Sequence, residues 1–296
     1  MRPMRRPTQP IINAALREDL AAAGDLTSRA LIPPTLRVRA VVRANSPGLV
    51  AGTRIAQQVF AAVDPRIRCR ISRRDGQAVA PGQVILRVEG PARSILAAER
   101  TALNFLGHLS GIATLTNQFV RRARPARAAI MDTRKTLPGL RVLEKYAVRV
   151  GGGKNHRLGL SDAVLIKTNH LLAYSGQRIA DRKKKTQVIG ELVQGARRRY
   201  PKKMVEIEVT NLTEFEAALD AKPDVVMLDN WPLAAIYKAV RYATRYPLSA
   251  RPLLEVSGGV TLQNVRAIAR TGVDRISIGR LTHSAPALDV SLHIAD

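Results

Sequence analysis

Met204-Val-Glu-Ile-Glu208-Val-Thr, Asp224-Val-Val-Met-Leu-Asp229-Asn230, Leu253-Leu-Glu-Val-Ser257-Gly-Gly259 and Arg275-Ile-Ser-Ile-Gly279-Arg are short apolar runs, each closing on polar or glycine residues. Two earlier runs have the same form: Ala128-Ala-Ile-Met-Asp132-Thr-Arg-Lys135 and Ala163-Val-Leu-Ile-Lys167-Thr-Asn-His170. Runs of this length and composition read as buried strands. Helical spacing separates the later ones, including residues 213–221 and 261–270, with Thr213 and Thr261 as candidate helix starts. Buried strands alternating with helices predict βα units and a parallel sheet. Six or seven such strands predict a complete or partial α/β barrel.

In a barrel the polar residues closing each strand converge on the carboxyl-terminal mouth. That places Arg134, Lys135, Lys167, Glu208, Asp229, Ser257, Gly258, Gly259 and Gly279 around one opening. Small residues at the last two strand ends let backbone N–H groups approach a phosphate, helped by a helix N-terminus near Thr261. The acids Glu208 and Asp229 are oxygen donors suited to Mg²⁺ or to ribose hydroxyls. The chemistry implied is a phosphosugar plus a second, anionic substrate.

The preceding part of the chain has a different rhythm. Residues 11–20 have helical apolar spacing, ended by Gly24-Asp25. From Arg37 to Val50 the pattern is β-like, with Val38, Ala40 and Val42 alternating against arginines. Residues 75–90 read as short strands joined by turns, and residues 94–121 as one long helical stretch. Gly107 and Gly111 within that stretch permit close packing or a break.

Composition narrows the function classes. The chain has 296 residues, 46% of them hydrophobic, enough for a full core. No apolar run reaches bilayer length, and no apolar segment follows the basic start, so neither a membrane span nor a secretory signal is expected. Cys69 is the single cysteine, which excludes an intramolecular disulfide and fits a cytoplasmic setting. The net charge of +25 favours polyanionic partners. Its densest clusters (121–124, 183–185 and 197–199) read as exposed helix ends and loops, and only 4% of residues are aromatic, too few for base-stacking platforms. Nucleic acid is therefore not an expected partner. Val148-Arg-Val-Gly151-Gly-Gly153-Lys154-Asn155 lacks the first glycine and the Ser/Thr of a P-loop. Dinucleotide, nucleophile-elbow and zincin signatures are absent from the sequence, and its five histidines have no metal-ligand spacing.

Two arrays bring a resemblance. One runs from Asp132-Thr-Arg-Lys-Thr-Leu-Pro-Gly-Leu-Arg141 through Glu144-Lys-Tyr-Ala-Val-Arg-Val-Gly-Gly-Gly-Lys-Asn-His-Arg157. The other comprises Leu228-Asp-Asn230, Ser257-Gly-Gly259 and Gly279-Arg-Leu-Thr-His-Ser284. Together with Glu99-Arg100 and Gly107-His-Leu-Ser-Gly-Ile-Ala-Thr114, they resemble the quinolinate phosphoribosyltransferases from about residue 11 to the end of the chain. The resemblance implies an N-terminal α/β sandwich domain over residues 1–115, rejoined by 281–296, and an incomplete, roughly seven-stranded α/β barrel over 116–280. It implies a homodimer, alone or within a hexamer, with Arg100 reaching the partner's site. Matched by position, Arg134, His156, Arg157 and Lys167 would grip the quinolinate carboxylates together with that Arg100. Lys135 would face phosphoribosyl pyrophosphate, Glu208 and Asp229 would hold Mg²⁺ and ribose hydroxyls, and Ser257, Gly258, Gly259 and Gly279 would cradle the 5′-phosphate. The implied catalytic set is Lys135, Glu208 and Asp229. For His156 the alternative of merely orienting its loop stays open.

Three features depart from the family pattern. Thr168 stands where Asp is usual, Arg280 replaces a small residue, and residues 175–200 read as a long, basic, mobile surface loop. Two rival functions compete with this one. A paralogue associated with molybdenum transport would share the fold, but the intact Thr-Arg-Lys-Thr and Asn-His-Arg blocks argue against it. A nucleic-acid-binding protein on a reused barrel would explain only the surplus charge.

Overall fold

The structure is a computed structural model that describes residues 8–176, 182–247 and 251–295. Its elements begin with α1 (Gln9–Leu20), α2 (Leu26–Leu31), β1 (Arg37–Ala44), β2 (Gly48–Leu49), α3 (Thr53–Val63), β3 (Arg68–Ile71), β4 (Ala78–Val79), β5 (Val84–Pro91) and α4 (Ala92–Ala123). There follow β6 (Ala129–Met131), α5 (Arg141–Val150), β7 (Val164–Ile166), α6 (Thr168–Ser175), α7 (Arg182–Arg199), β8 (Val205–Val209), α8 (Leu212–Ala221) and β9 (Val225–Asp229). The chain ends with α9 (Leu233–Ala243), β10 (Leu253–Ser257), α10 (Val265–Arg270), β11 (Arg275–Ser277), α11 (Arg280–His283) and β12 (Val290–Ala295).

Two compact units divide these elements. The first takes the residues up to Asn117, Lys135–Gly152 and those from Arg280 onward. It contains a four-stranded antiparallel sheet, ordered β12-β1-β5-β3, and the short pair β2-β4. The last strand of the chain thus pairs with the first, Ala44 opposite Val290. α4 runs unbroken for 32 residues, so its glycines serve close approach. A Cβ at Gly111 would stand 2.1 Å from the Pro286 carbonyl oxygen, and one at Gly107 would stand 2.9 Å from that of Leu288. The returning segment lies against the bare helix backbone there, and the Leu288 N–H donates to the Gly107 carbonyl at 2.9 Å.

Residues 135–152 belong to this first unit, whereas the sequence placed them in the barrel domain. The reason is the packing of α5. Its Glu144 is fully buried, with Oε1 2.9 Å from His108 Nε2 and Oε2 accepting from the Leu137 N–H at 3.2 Å. The Tyr146 hydroxyl donates to Asp75 at 2.6 Å, and Gly151 sits where a Cβ would meet the Ala113 carbonyl at 2.5 Å.

The second unit takes Gln118–Arg134 and Gly153–Gly279. Its six strands are all parallel, in the order β6-β11-β10-β9-β8-β7, and a single parallel bridge from Met131 to Lys154 extends the β6 edge. This is an incomplete α/β barrel. The strands are short and apolar because both faces are covered: Val205, Ile207, Val209, Val225, Val226, Leu228, Leu254 and Ile276 are fully buried. The cap of α8 is Asn211, not Thr213; its side chain accepts from the Glu214 N–H at 3.0 Å. Near Thr261 the capping is reciprocal. Asn264 Oδ1 accepts from the Thr261 N–H at 2.8 Å and Thr261 Oγ1 from the Asn264 N–H at 3.3 Å, one turn ahead of α10.

The segment expected as a loop over 175–200 is largely helical, with α7 spanning Arg182–Arg199. Residues 177–181 lie outside the described residues. Val188, Ile189 and Val193 supply a buried stripe that packs on the barrel, which outweighs the polar character of the rest. No helix among the described residues is long and apolar enough to cross a membrane.

Candidate active site

The barrel topology gathers the expected residues at the carboxyl ends of neighbouring strands. Glu208 lies near the end of β8, Asp229 ends β9 and Ser257 ends β10, with Asp229 and Ser257 in direct register. Arg134 follows β6, Lys167 follows β7 and Gly279 follows β11. His156 and Arg157 follow the bridge at Lys154. All of these belong to the second unit; Arg100, exposed on α4, and Lys135, also exposed, belong to the first.

The loop at 154–157 is pinned to β6. Asp132, fully buried, accepts from the His156 N–H at 2.9 Å and from the Asn155 side-chain amide. Asp132 opens the Asp132–Arg141 motif, and nothing in the sequence alone marks this pinning role. The pinning brings Arg157 beside Arg134. The Arg157 side chain is 8% exposed, and Nη1 donates to the Ala163 carbonyl at 3.0 Å. Its Nε–H is buried without a protein acceptor. Burial and then the neighbouring Arg134 charge depress the Arg157 pKa, while Glu206 opposes them. Two neighbouring guanidiniums, one nearly buried and holding an unused donor, have the chemistry that suits a planar anion.

Lys167 Nζ stands 3.4 Å from Glu208 Oε2, and the Lys167 N–H donates to His170 Nδ1 at 2.8 Å. Thr168 donates its hydroxyl to Glu208 Oε1 at 2.9 Å. Asp at that position would set a second carboxylate against Glu208, so the exchange for Thr turns a repulsive neighbour into a donor. Asp229 Oδ2 accepts from the Asn230 amide at 2.9 Å. Glu208 and Asp229 thus present oxygen donors on adjacent strands, with Glu208 partly open to solvent at 11% exposure. Such a donor set fits Mg²⁺, which retains several waters and is completed by substrate phosphates.

At the phosphate side, Gly258 and Gly259 adopt φ of +86° and +61°. A Cβ at Gly258 would lie 2.1 Å from Asn230 Oδ1, whereas one at Gly259 would meet nothing within 4 Å. The turn therefore needs glycine at 258 for both conformation and space, and it leaves room above 259 for a ligand. Asn264 ties the turn to the start of the α10 region by donating to the Gly259 carbonyl at 2.9 Å.

Beneath the mouth lies a charged layer that the sequence did not reveal. Glu206 and Glu255 are 1% and 0% exposed, and His156 Nε2 stands 2.9 Å from Glu206 Oε2 and 3.6 Å from Glu255 Oε1. The Ser277 hydroxyl donates to Glu255, and Arg275 reaches to 3.9 Å of it. Burial first, and then the charge of Glu206, push the Glu255 carboxyl up to about 7. The available signal was spacing: Glu206 and Glu255 precede Glu208 and Ser257 by two residues and so share their face of the sheet.

Residues 112–293 match the quinolinate phosphoribosyl transferase C-terminal domain, and residues 25–110 match the N-terminal domain of the same family. The chain is 41% identical over 288 residues to the nicotinate-nucleotide pyrophosphorylase [carboxylating] of Mycobacterium leprae, covering 96% of this chain and 95% of that one. It is 38% identical over 284 residues to the probable nicotinate-nucleotide pyrophosphorylase [carboxylating] of Bacillus subtilis, covering 96% and 92%. The solved nicotinate-nucleotide pyrophosphorylase of Francisella tularensis superposes with a TM-score of 0.86 at 38% identity, covering 98% of this chain and 96% of that one.

Proposed function

This chain belongs to the quinolinate phosphoribosyltransferase family, and on that premise we propose how its residues carry out the family's reaction. The protein is a pentosyltransferase. It transfers the phosphoribosyl group of phosphoribosyl pyrophosphate to quinolinate and releases carbon dioxide, giving nicotinate mononucleotide and pyrophosphate for NAD biosynthesis. The observation that carries the assignment of residues is the Arg134–Arg157 pair, whose buried Arg157 retains a donor without a protein acceptor.

Quinolinate carries carboxylates on neighbouring ring carbons, so binding it requires fixed cations that offset both repulsion and desolvation. Arg134, Arg157 and Lys167 supply them, and Arg100 of a second copy completes the set. Lys135 faces phosphoribosyl pyrophosphate. The backbone at Ser257, Gly258, Gly259 and Gly279 cradles its 5′-phosphate, as the open, positive-φ turn at 258–259 allows. Glu208 and Asp229 hold Mg²⁺ and the ribose hydroxyls. When bound, Mg²⁺ offsets the charge gathering on pyrophosphate as it departs.

With both substrates held, the pyridine nitrogen forms a bond to the ribose C1 as the bond from C1 to pyrophosphate oxygen breaks. The carboxylate beside that nitrogen then leaves as carbon dioxide. Its electron pair stays with the ring carbon, stabilised by the quaternised nitrogen, and takes up a proton. Nothing in this sequence requires a covalent bond to the protein. A homodimer and a cytoplasmic setting belong to the same proposal; with Cys69 as the single cysteine, the chain has no intramolecular disulfide to maintain, which suits a reducing compartment.

Arg134→Ala and Arg157→Ala are the test. Each should reduce kcat/KM for quinolinate by about 10²-fold or more while phosphoribosyl pyrophosphate binding persists, since each leaves a substrate carboxylate unpaired. Near-normal quinolinate turnover in both would remove the basis of the assignment.

A further inference from the structure

Glu206 on β8 and Glu255 on β10 point into the barrel one layer below the strand ends, and the imidazole of His156 stands between them. Nε2 faces the two carboxylates at 2.9 and 3.6 Å. The other ring nitrogen, Nδ1, accepts the N–H of Arg157 at 2.9 Å, which assigns the ring proton to Nε2. From β11 the Ser277 hydroxyl and the Arg275 guanidinium approach Glu255, and the Arg157 charge lies within reach of Glu206. Two carboxylates this deeply buried require compensation; for Glu206 it is electrostatic, from the nearby imidazole and the Arg157 charge, and not from an aligned hydrogen bond.

We propose that Glu206, Glu255 and His156 form a positioning device for Arg157. The carboxylates fix the ring, the ring fixes the main chain of Arg157, and the Arg157 guanidinium is thereby presented to a planar carboxylate of the substrate. His156 touches no substrate. To do so through Nε2 it would have to leave Glu206, abandoning two buried carboxylates to each other. Asp132 holds the same loop from β6 by accepting the His156 N–H at 2.9 Å, so residues 155–157 are clamped on two sides. This deepens the proposed function and rests on it. The competing explanation is a cation, since the three ligand atoms lie within 4.8 Å of one another.

The experiment combines Glu206→Gln, His156→Asn and the double variant, with wild-type turnover of quinolinate as the reference. Each single change should raise the quinolinate KM by about 10–100-fold and leave the KM for phosphoribosyl pyrophosphate unchanged, the signature of a misplaced guanidinium. The double variant should be no worse than the poorer single one, because both act along one line. If His156→Asn raises the quinolinate KM while Glu206→Gln behaves as wild type, the imidazole grips the substrate itself and the proposal fails. A divalent metal co-purifying at one per chain and lost in Glu206→Gln would also overturn it. Should Glu206→Gln fail to fold, Glu255→Gln carries the same readouts. An inactive wild type would count against the proposed function alone. The device is then read by ¹⁵N shifts of the His156 ring, assigned with His156→Asn: a protonated Nε2 and bare Nδ1 support it, and any other state contradicts it.

Discussion

Replacing Glu255 by Gln should make the protein less sensitive to neutral pH. Glu255 is fully buried on β10 beside Glu206, and its carboxyl is raised from an ordinary 4.5 to about 7. Facing it are His156 from the 154–157 loop, Glu206 from β8, and Ser277 and Arg275 from β11. A carboxyl raised in the folded state binds its proton more tightly there than in the unfolded chain. Between pH 4.5 and about 7 the folded protein therefore holds more protons, and stability falls as pH rises through that window. At 1.36 kcal/mol per pH unit the fall attributable to this residue approaches about 3 kcal/mol. Gln keeps an oxygen for the Ser277 hydroxyl but carries no charge to bury, so Glu255→Gln removes this pH dependence. Urea unfolding of both proteins at pH 5 and pH 8 measures it. The variant should gain on the wild type by about 2–3 kcal/mol between the two conditions. A difference that stays flat with pH would show that Glu255 ionises at its ordinary value, and the desolvated acidic layer would have to be abandoned.

Two further outcomes follow from close backbone approaches. Gly111→Ala forces a Cβ to within 2.1 Å of the Pro286 carbonyl, a backbone atom that moves only if the returning C-terminal segment shifts. It should cost about 1–3 kcal/mol and lower the melting temperature by about 2–4 °C per kcal/mol, read by calorimetry; an unchanged melt would disprove the tight packing. Gly258→Ala meets both a φ of +86° and the Asn230 side chain at 2.1 Å. It should weaken phosphoribosyl pyrophosphate binding by about 1–3 kcal/mol, roughly 5- to 150-fold in titration calorimetry. Undiminished affinity would move the phosphate site elsewhere.

The barrel was legible because its strands are buried on both faces and so read as apolar runs closing on polar residues. Glu208, Asp229 and Ser257 stand at those closures, so their places at the strand ends were legible in the same way. The same feature concealed Glu206 and Glu255. An acid inside an apolar run reads as facing solvent; the two-residue spacing from Glu206 to Glu208 and from Glu255 to Ser257 was the one cue to a shared face, and the register of β8, β9 and β10 sets those positions side by side. Asp132 was visible in its motif, but its role depends on the bridge between Met131 and Lys154, a contact across 23 residues. The unit to which residues 135–152 belong was illegible for a similar reason. Contacts such as Tyr146 with Asp75 are distant in sequence, whereas the catalytic motif is continuous through the boundary at Arg134. In α7 the density of Lys and Arg obscured a short apolar stripe, Val188, Ile189 and Val193, which burial made decisive.

The most direct test of the central claim mixes the purified protein with Mg²⁺, phosphoribosyl pyrophosphate and quinolinate, with nicotinate replacing quinolinate in a parallel reaction. Nicotinate mononucleotide and carbon dioxide are then measured. The expected result is equal amounts of both products from quinolinate and none from nicotinate, because the carboxylate beside the ring nitrogen is needed for binding and is the group released. Product from nicotinate alone, or no product from either substrate by a folded protein, would contradict the account.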